Sequence, residues 1–145
     1  MNRYLFFQNL KMFVLIMNRS NINTKKAPQP VGLYPHAKRA GDFLFLSGIG
    51  SRDAKTNTIP DNFEEECHSV FNNVRTVIES ANAEWADLID VTVFLTDMKK
   101  DFNTYNKIYE QYFKDNKPCR TTVEIKSLPT SISIELKCIV FIGKN

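Results

Sequence analysis

The sequence predicts a single α+β domain in which two helices cover one face of a β-sheet. Apolar residues recur at helical spacing in two segments and alternate with polar residues in several others. A short apolar run, Phe43 to Leu46, is bounded by turn residues on both sides. Strand patterns come before, between and after the helical patterns, which is typical of a two-layer α+β domain. The 145 residues suffice for one such domain with a substantial core.

Residues 1–26 are expected to form an extension outside this domain, which covers residues 27–145. The apolar piece of the extension, Met12 to Met17, is far shorter than the roughly 20 residues needed to span a membrane. No small-residue cleavage site follows it, which disfavours a signal peptide. Met17-Asn18-Arg19 repeats Met1-Asn2-Arg3, which favours an upstream start codon or a disordered extension. We expect a cytoplasmic location, with organelle targeting as the minority alternative because the extension lacks acidic residues.

The first strands are predicted around a turn. Ala27 to Arg39 reads as a linker leading into a first strand, Gly41-Asp42 reads as the turn, and the apolar run that follows is typical of a central strand. Ser47 and Gly48 end that strand with a hydroxyl and backbone N–H groups. Such an end can hold a carboxylate, and an ordinary Ser-Gly turn explains the same two residues equally well.

The first helix is predicted after a polar loop, Asp53 to Pro60, with Asp61 as N-cap and Glu64 three residues on. It is expected to end near Ala81-Asn82. Its core-facing stripe consists of Cys67, Val70, Phe71, Val74, Val77 and Ile78. This stripe indicates a scaffold helix.

The next strand, Leu88 to Leu95, leads into a second helix that is expected to begin at Asp101. One side of this helix carries Phe102, Tyr105, Tyr109, Tyr112 and Phe113. Tyrosines can stack on nucleic-acid bases. Helical spacing instead favours core tyrosines whose hydroxyl tips reach solvent.

Two final strands are predicted around a loop at Leu128-Pro129, because proline cannot donate to a strand ladder. The first, Cys119 to Ile125, places Arg120 on its polar side, and the second places Glu135 on its polar side. The buried face of the second strand consists of Ile132, Ile134, Leu136, Cys138 and Val140. The two strands read as a hairpin-like pair that each bury one side. A fixed guanidinium and a fixed carboxylate can begin a carboxylate-binding site, and a solvated strand face with an incidental ion pair is the alternative.

The sheet face opposite the helices is expected to carry Phe43, Phe45, Arg120 and Glu135. This face is too mixed to be simply solvated. It is therefore expected to contact another subunit.

Composition excludes several classes of site. The net charge of +3 implies no dominant basic surface. Cys67, Cys119 and Cys138 are odd in number and widely spaced, which favours reduced thiols over a disulfide framework. His36 and His68 are the only histidines, so a His/Cys metal site lacks ligands, and the adjacent Cys67-His68 pair is better explained as helix core beside helix edge.

Four segments together resemble the reactive-intermediate deaminase family (RidA/YjgF), once called L-PSP endoribonucleases. They are VGLYPHAKRAGDFLFLSG, VTVFLTDMKKDFNTYNKIYEQYF, KPCRTTVEIKSLP and SIELKCIVF. The similarity covers roughly residues 27–142. Within the family, LYPHAKRAGDFLFLSGIGSR with CRTTV is most similar to the 2-aminomuconate deaminase branch. The resemblance implies a chorismate mutase-like fold, with two helices on one face of a mixed sheet, and a homotrimer with clefts between neighbours.

The implied reaction is hydrolysis of an enamine or imine to a carbonyl compound and ammonia, with no cofactor and no metal. Arg120 suits binding of the substrate carboxylate, and Glu135 suits orientation of a water or transfer of a proton. The resemblance adds substrate-binding positions at Tyr34, Ser47, Gly48, Asn106 and Thr122. Many family members carry cysteine at the position of Thr122, so this chain argues against a thiol-dependent step.

Two other functions compete with the deaminase. An RNA-binding translation inhibitor or endoribonuclease needs a basic track with stacking residues. Lys25, Lys26, Lys38 and Arg39 supply a modest cluster, with no exposed aromatic residues expected among them. A trimer that binds a carboxylate metabolite without turnover would use the same site residues as the enzyme. Nucleic acid and membrane are not expected partners.

Overall fold

A computed structural model describes residues 19–143 as one sheet with two α-helices. The strands are β1 (Arg19–Ile22), β2 (Ala37–Ala40), β3 (Phe43–Leu46), β4 (Ile49–Gly50), β5 (Leu88–Leu95), β6 (Cys119–Glu124) and β7 (Ile134–Phe141). The helices are α1 (Phe63–Ser80) and α2 (Met98–Phe113), and a short 3₁₀ helix, Trp85–Asp87, precedes β5. The apolar piece Met12 to Met17, the repeated start and the targeting alternative lie outside the described residues.

The sheet is mixed and runs in the order β1-β2-β3-β7-β5-β6, with β4 also paired to β7. β5 and β6 are parallel, and the other pairs are antiparallel. Helix α2 links β5 to β6, as a parallel pair needs a crossover. Both helices pack on the same face, where side chains of β3, β5 and β7 are buried. The predicted arrangement of two helices on one face of a mixed sheet is confirmed.

Helix α1 forms the centre of the core. All six residues of its predicted stripe are buried. The predicted cap was one residue early: Asn62 is the N-cap, and its side chain accepts a hydrogen bond from Glu65 N at 2.9 Å. Asp61 and Glu64 do not form this cap. The helix ends at Ser80, and Asn82 adopts a left-handed backbone with φ of 57°, as expected for the residue that terminates a helix.

Helix α2 begins three residues earlier than predicted. Asp97 is the N-cap and accepts from Lys100 N at 3.0 Å, so Asp101 lies in the first turn, where it is buried. The aromatic side of the helix packs into the core as predicted. One row of rings continues to the 3₁₀ helix: Tyr109 stacks on Phe113 at 4.3 Å between centroids, and Phe113 stacks on Trp85 at 4.8 Å.

The hydroxyl groups of the tyrosines are less solvated than predicted. Tyr112 Oη is hydrogen-bonded to His68 Nδ1 at 2.9 Å. The hydroxyls of Tyr105 and Tyr109 are enclosed and have no partner among residues 19–143. Burial raises the pKa of both tyrosines, so each remains a neutral phenol at physiological pH.

Strand β1 extends the sheet into the segment expected to lie outside the domain. Arg19 pairs with Ala40, and Ile22 pairs with Ala37. Ala27, further on, is fully buried in the core. Within the described residues the sheet therefore includes Arg19–Ile22, although the sequence before Ala27 shows no strand periodicity.

The last two strands do not form the predicted hairpin-like pair, because β5 lies between β6 and β7. β6 is the edge of the sheet, and five of its six side chains are exposed, so it does not bury one side as predicted. The chain between the strands crosses β5, and β7 pairs antiparallel with β5 from Leu95↔Ile134 to Leu88↔Val140. The alternation predicted for β7 is confirmed, whereas the buried side predicted for β6 and the pairing of the two strands are not.

Cys67 and Cys138 are buried, Cys119 is exposed, and none of the three forms a disulfide. Within residues 19–143, no cluster of three His, Cys, Asp or Glu side chains could hold a metal ion. Neither of the two helices described above is long and apolar enough to cross a membrane.

Candidate active site

A cleft lies beside the junction of β3, β4 and β7. Four of the predicted site residues line it: Tyr34, Ser47, Gly48 and Glu135. Its wall also includes Pro28, Gln29, Pro30, Val31, Arg52, Pro129 and Ile132. We call this space the Glu135 cleft.

Glu135 enters the cleft from β7, because β4 pairs with β7 through Gly50↔Glu135. Its carboxylate lies directly over Gly48. A Cβ built on Gly48 would lie 2.6 Å from Glu135 Cδ, so a residue without a side chain is needed for this contact. Burial raises the pKa of Glu135 above the ordinary carboxyl value. A half-buried carboxyl with a raised pKa is better suited to exchange a proton with a substrate than an exposed carboxylate.

Ser47 was predicted to offer hydrogen-bond donors to a carboxylate, but its donors are bonded to backbone carbonyls of the protein. Its hydroxyl donates to Pro35 O at 2.7 Å, and its backbone N–H donates to His36 O at 2.9 Å. Two of the donors expected to hold a carboxylate are therefore already used within the fold. The lone pairs of Ser47 Oγ remain, and they suit a substrate N–H donor.

The outer wall of the cleft is held by His36, which the sequence analysis considered as an insufficient metal ligand and did not assign to the site. His36 is 2% exposed. Its Nε2 bonds Pro28 O at 3.0 Å, and its Nδ1 accepts from Thr24 N at 3.4 Å. These bonds fix the segment that carries Tyr34, whose hydroxyl accepts from Val31 N at 3.3 Å.

The inner wall is held by Glu66, which the sequence analysis did not single out. Glu66 is buried in α1, and its Oε2 accepts from Ser51 Oγ at 2.6 Å and from Ser133 N at 2.9 Å. Ser51 follows β4, and Ser133 precedes β7. One carboxylate thus ties together the two segments that bring Gly48 and Glu135 into contact. The only signal for this role in the sequence is that a glutamate lies next to the buried stripe of α1, where it needs hydrogen-bond partners.

Arg120 lies in a second group, which we call the Arg120 cluster. Its Nη1 donates to Asn106 Oδ1 at 2.8 Å, and its guanidinium carbon lies 4.7 Å from the ring centroid of Tyr109 and 5.6 Å from that of Tyr105. Hydrogen bonding and stacking together fix the plane of the guanidinium. Asn106 therefore orients Arg120 in this chain. Thr122 lies two residues along β6, and its hydroxyl is enclosed without a partner in the described residues.

The carboxylate nearest Arg120 in sequence is occupied elsewhere. Glu124 Oε2 accepts from Met98 N at 2.7 Å and so helps to cap α2. This contact leaves the guanidinium of Arg120 with a neutral amide partner. An exposed arginine held by neutral groups is available to bind an anion.

The two groups lie on opposite faces of the sheet, contrary to the prediction that Arg120 and Glu135 share a face. Arg120 pairs with Val91, which is fully buried beneath the helices. Glu135 pairs with Phe94 and alternates with the buried Ile134 and Leu136. Side chains paired across a ladder lie on one face, so Arg120 points to the helix side and Glu135 to the other.

A family model described as Endoribonuclease L-PSP matches residues 24–142. The chain belongs to this family. It is 38% identical over 123 residues to a RutC family protein of Buchnera aphidicola, covering 83% of this chain and 95% of the relative. It is 39% identical over 120 residues to a RutC family protein of Aquifex aeolicus, covering 81% and 95%. The crystal structure of RidA from the Antarctic bacterium Psychrobacter sp. matches with a TM-score of 0.82 at 30% identity, covering 86% of this chain and 100% of that one.

This L-PSP family chain exposes an aromatic surface on the sheet face opposite the helices. Phe43 and Phe45 are 40% and 43% exposed, and Phe43 packs against Phe141 at 5.3 Å. We call this surface the open face. Exposed aromatic side chains that pack together in this way offer an apolar surface to another protein.

Exposed aromatics also lie near the basic cluster, contrary to prediction. Lys38 is the cross-strand neighbour of Phe45, and both line a broad depression together with Tyr34 and Lys137. Glu135 borders the same depression.

Proposed function

We propose that this L-PSP family chain is a hydrolytic deaminase of enamine or imine carboxylates. The observation that carries the proposal is that the Glu135 cleft and the Arg120 cluster supply complementary chemical groups. The Glu135 cleft offers a carboxyl with a raised pKa, and the Arg120 cluster offers an oriented guanidinium that has no charged partner among residues 19–143. The relative named RidA, whose name belongs to the reactive-intermediate deaminases, supports the same conclusion.

In the proposed reaction, Arg120 binds the substrate carboxylate through its planar fork and thereby fixes the imine carbon. Ser47 Oγ accepts the N–H of the substrate nitrogen. A water adds to the carbon of the C=N bond, and Glu135 passes one water proton to the nitrogen. The hydroxyl proton of the resulting carbinolamine then passes through Glu135 to the nitrogen as the C–N bond breaks, which releases ammonia and leaves the carbonyl compound.

We infer that the site is completed between neighbouring chains of a homotrimer. Arg120 and Glu135 lie on opposite faces, so one chain alone presents two incomplete halves. The aromatic open face, whose Phe45 lines the same depression as Glu135, gives a neighbour an apolar surface to contact. The enclosed hydroxyls of Tyr105, Tyr109 and Thr122 add unused polar groups on the Arg120 side.

Subunit mixing tests this arrangement. Arg120→Ala and Glu135→Gln are each expected to be inactive as pure proteins. If each site takes Arg120 from one chain and Glu135 from the next, every mixed trimer contains one intact site, and random reassembly of equal amounts restores about a quarter of wild-type sites. No recovery after confirmed mixing would place both residues in one chain and contradict the shared site. A stable monomer by light scattering at micromolar concentration would contradict the trimer itself.

The substrate we propose is 2-aminomuconate or a related unsaturated amino acid. The motif LYPHAKRAGDFLFLSGIGSR with CRTTV supports this branch of the family. Ammonia release from 2-aminomuconate, compared with release from imines made in situ by an amino-acid oxidase, tests both the reaction and the branch. Binding of carboxylates without ammonia release from any of these substrates would instead support the non-catalytic trimer.

RNA binding is the second candidate, and the depression that contains Lys38, Phe45 and Lys137 is the observation in its favour. Lysines beside an aromatic ring can hold a phosphate backbone and a stacked base. A deaminase whose open face is covered by its neighbour is expected to bind RNA weakly. Tight RNA binding whose affinity falls steeply with salt, and is lost in Lys38→Gln, would favour the RNA candidate.

A further inference from the structure

Arg52 lines the Glu135 cleft and is not used by the mechanism above. Its guanidinium donates to two acceptors: Nη2 to Gln29 O at 2.8 Å, and Nη1 to Asn57 Oδ1. Both acceptors are neutral, a backbone carbonyl and an amide oxygen. An arginine has five N–H donors, so these two bonds leave three donors and the full positive charge.

The position of Arg52 is fixed by its surroundings. Its backbone carbonyl accepts from Asn73 Nδ2 of α1 at 2.9 Å, which ties the residue to the core. The loop that carries Asn57 is organised by Asp53, whose Oδ1 accepts from Lys55 N and Thr56 N at 2.8 Å each. Asn57 has a left-handed backbone with a φ of 60°, a conformation that asparagine adopts more readily than most residues.

The other anchor of Arg52 is equally fixed. Gln29 Nε2 donates to Thr24 O at 2.9 Å and to Ala27 O at 3.1 Å, so the carbonyl that receives Arg52 belongs to a hydrogen-bonded segment. Arg52 is thus a rigid cation on the wall of a cleft, held by groups that do not neutralise it. Such an arrangement binds an anion with little loss of side-chain entropy.

We propose that Arg52 forms a second anion-binding subsite in the Glu135 cleft and selects imine substrates that carry a distal carboxylate. The inference rests on the proposed function for the identity of the reacting group. In that reaction Arg120 holds the carboxylate beside the imine carbon, and Arg52 lines the same cleft as Glu135. A dicarboxylate therefore meets a guanidinium at each end, with the reacting carbon near Glu135.

Direct binding tests the subsite without requiring turnover. The probes are 2-oxoglutarate and 2-oxoadipate, each compared by calorimetry with the monocarboxylate of equal chain length, 2-oxopentanoate or 2-oxohexanoate. We expect at least one diacid to bind about tenfold or more tightly than its matched monoacid, as a charge-assisted bond predicts. Arg52→Gln should abolish this preference, and Arg52→Lys should keep part of it.

Lys55→Gln is the matched control, because Lys55 is an exposed cation of the same loop that does not line the cleft. It should leave the diacid preference intact. Equal binding of diacid and monoacid by the wild-type trimer, or an unchanged preference in Arg52→Gln, would overturn the proposal. A parallel loss of both ligands in Arg52→Gln and Arg52→Lys would also overturn it, because it would show that Arg52 only supports the loop.

Turnover then separates the subsite from the proposed function. Imines made in situ from glutamate and from norvaline have equal chain lengths and differ in the distal carboxylate. We expect Arg52→Gln to lower kcat/KM for the glutamate imine about tenfold more than for the norvaline imine. If the wild-type protein hydrolyses neither imine, the proposed deaminase function is contradicted. The Arg52 subsite is tested separately, because the diacid preference is measured by calorimetry without turnover.

Discussion

Asn106 is expected to act on catalysis entirely through Arg120. The structure gives Arg120 two supports: a 2.8 Å bond to Asn106 Oδ1 and stacking on the rings of Tyr109 and Tyr105. Asn106→Ala removes the first support and leaves the second. A hydrogen bond to a charged group contributes about 1.5–3 kcal/mol, and the partial exposure of Arg120 favours the lower end. We therefore expect kcat/KM to fall about tenfold.

Arg120→Lys removes both supports while keeping the charge. A lysine cannot offer a planar fork to a carboxylate or stack flat on an aromatic ring. We expect a loss of about 2–4 kcal/mol in transition-state stabilisation, because the substrate carbon is misplaced relative to the water. Arg120→Ala should be at least as damaging. The thermal midpoint should change little in either variant, because the partner left behind is a neutral amide rather than a buried charge.

The double variant decides whether the two residues act as one unit. If Asn106 only orients Arg120, adding Asn106→Ala to Arg120→Lys should cost much less than it does in the wild-type background. The assay is steady-state kcat/KM for ammonia release, with the thermal midpoint measured on all four proteins. Fully additive losses would refute the orienting role and return Asn106 to direct substrate binding. A fully active Arg120→Lys would remove Arg120 from the mechanism.

Three further outcomes are expected. Glu135→Gln should lower kcat more than it weakens substrate binding. Because burial raises the pKa of Glu135, the acid limb of the wild-type pH–rate profile should lie above the ordinary carboxyl range, and this limb should vanish in the variant. Gly48→Ala should lower kcat with little loss of stability, because the new methyl displaces only the mobile end of Glu135, as kinetics and thermal melts would show. Burial raises the pKa of Asp101, so the native state binds the Asp101 proton more tightly than the unfolded state does. The stability of the wild-type protein therefore falls as the pH rises through the pKa of Asp101 in the native state. Asp101→Asn should therefore gain stability relative to wild type between acidic and neutral pH in denaturant titrations, and a constant difference would contradict this account.

The elements of the fold could be predicted wherever the signal was local. The stripe from Cys67 to Ile78 is buried as its spacing indicates, and β5 has the predicted bounds. The cap of α1 was misplaced by one residue because Asp61 and Asn62 are both good capping residues and only the backbone geometry distinguishes them. Boundaries of this kind depend on a single hydrogen bond.

The sequence predicted candidate site residues and did not predict how they are arranged. Alternation shows that Arg120 and Thr121 lie on opposite sides of β6, and it does not show which side faces the helices. Because β6 is an edge strand, both of its sides are polar or exposed, so hydrophobicity gave no further guide. His36 and Glu66 were missed for a different reason: each is a buried polar residue whose partners are distant in sequence.

The row of stacked rings in α2 connects Arg120 to the only indole of the chain. The guanidinium lies over Tyr109, Tyr109 stacks on Phe113, and Phe113 stacks on Trp85. Trp85 Nε1 also donates to Tyr112 O at 2.9 Å, so its environment depends on how the end of α2 is packed. Intrinsic fluorescence of this single tryptophan therefore gives an optical signal for displacement of the row when an anion reaches Arg120. No added label is needed, and the signal originates on the helix side of the sheet, away from the Glu135 cleft.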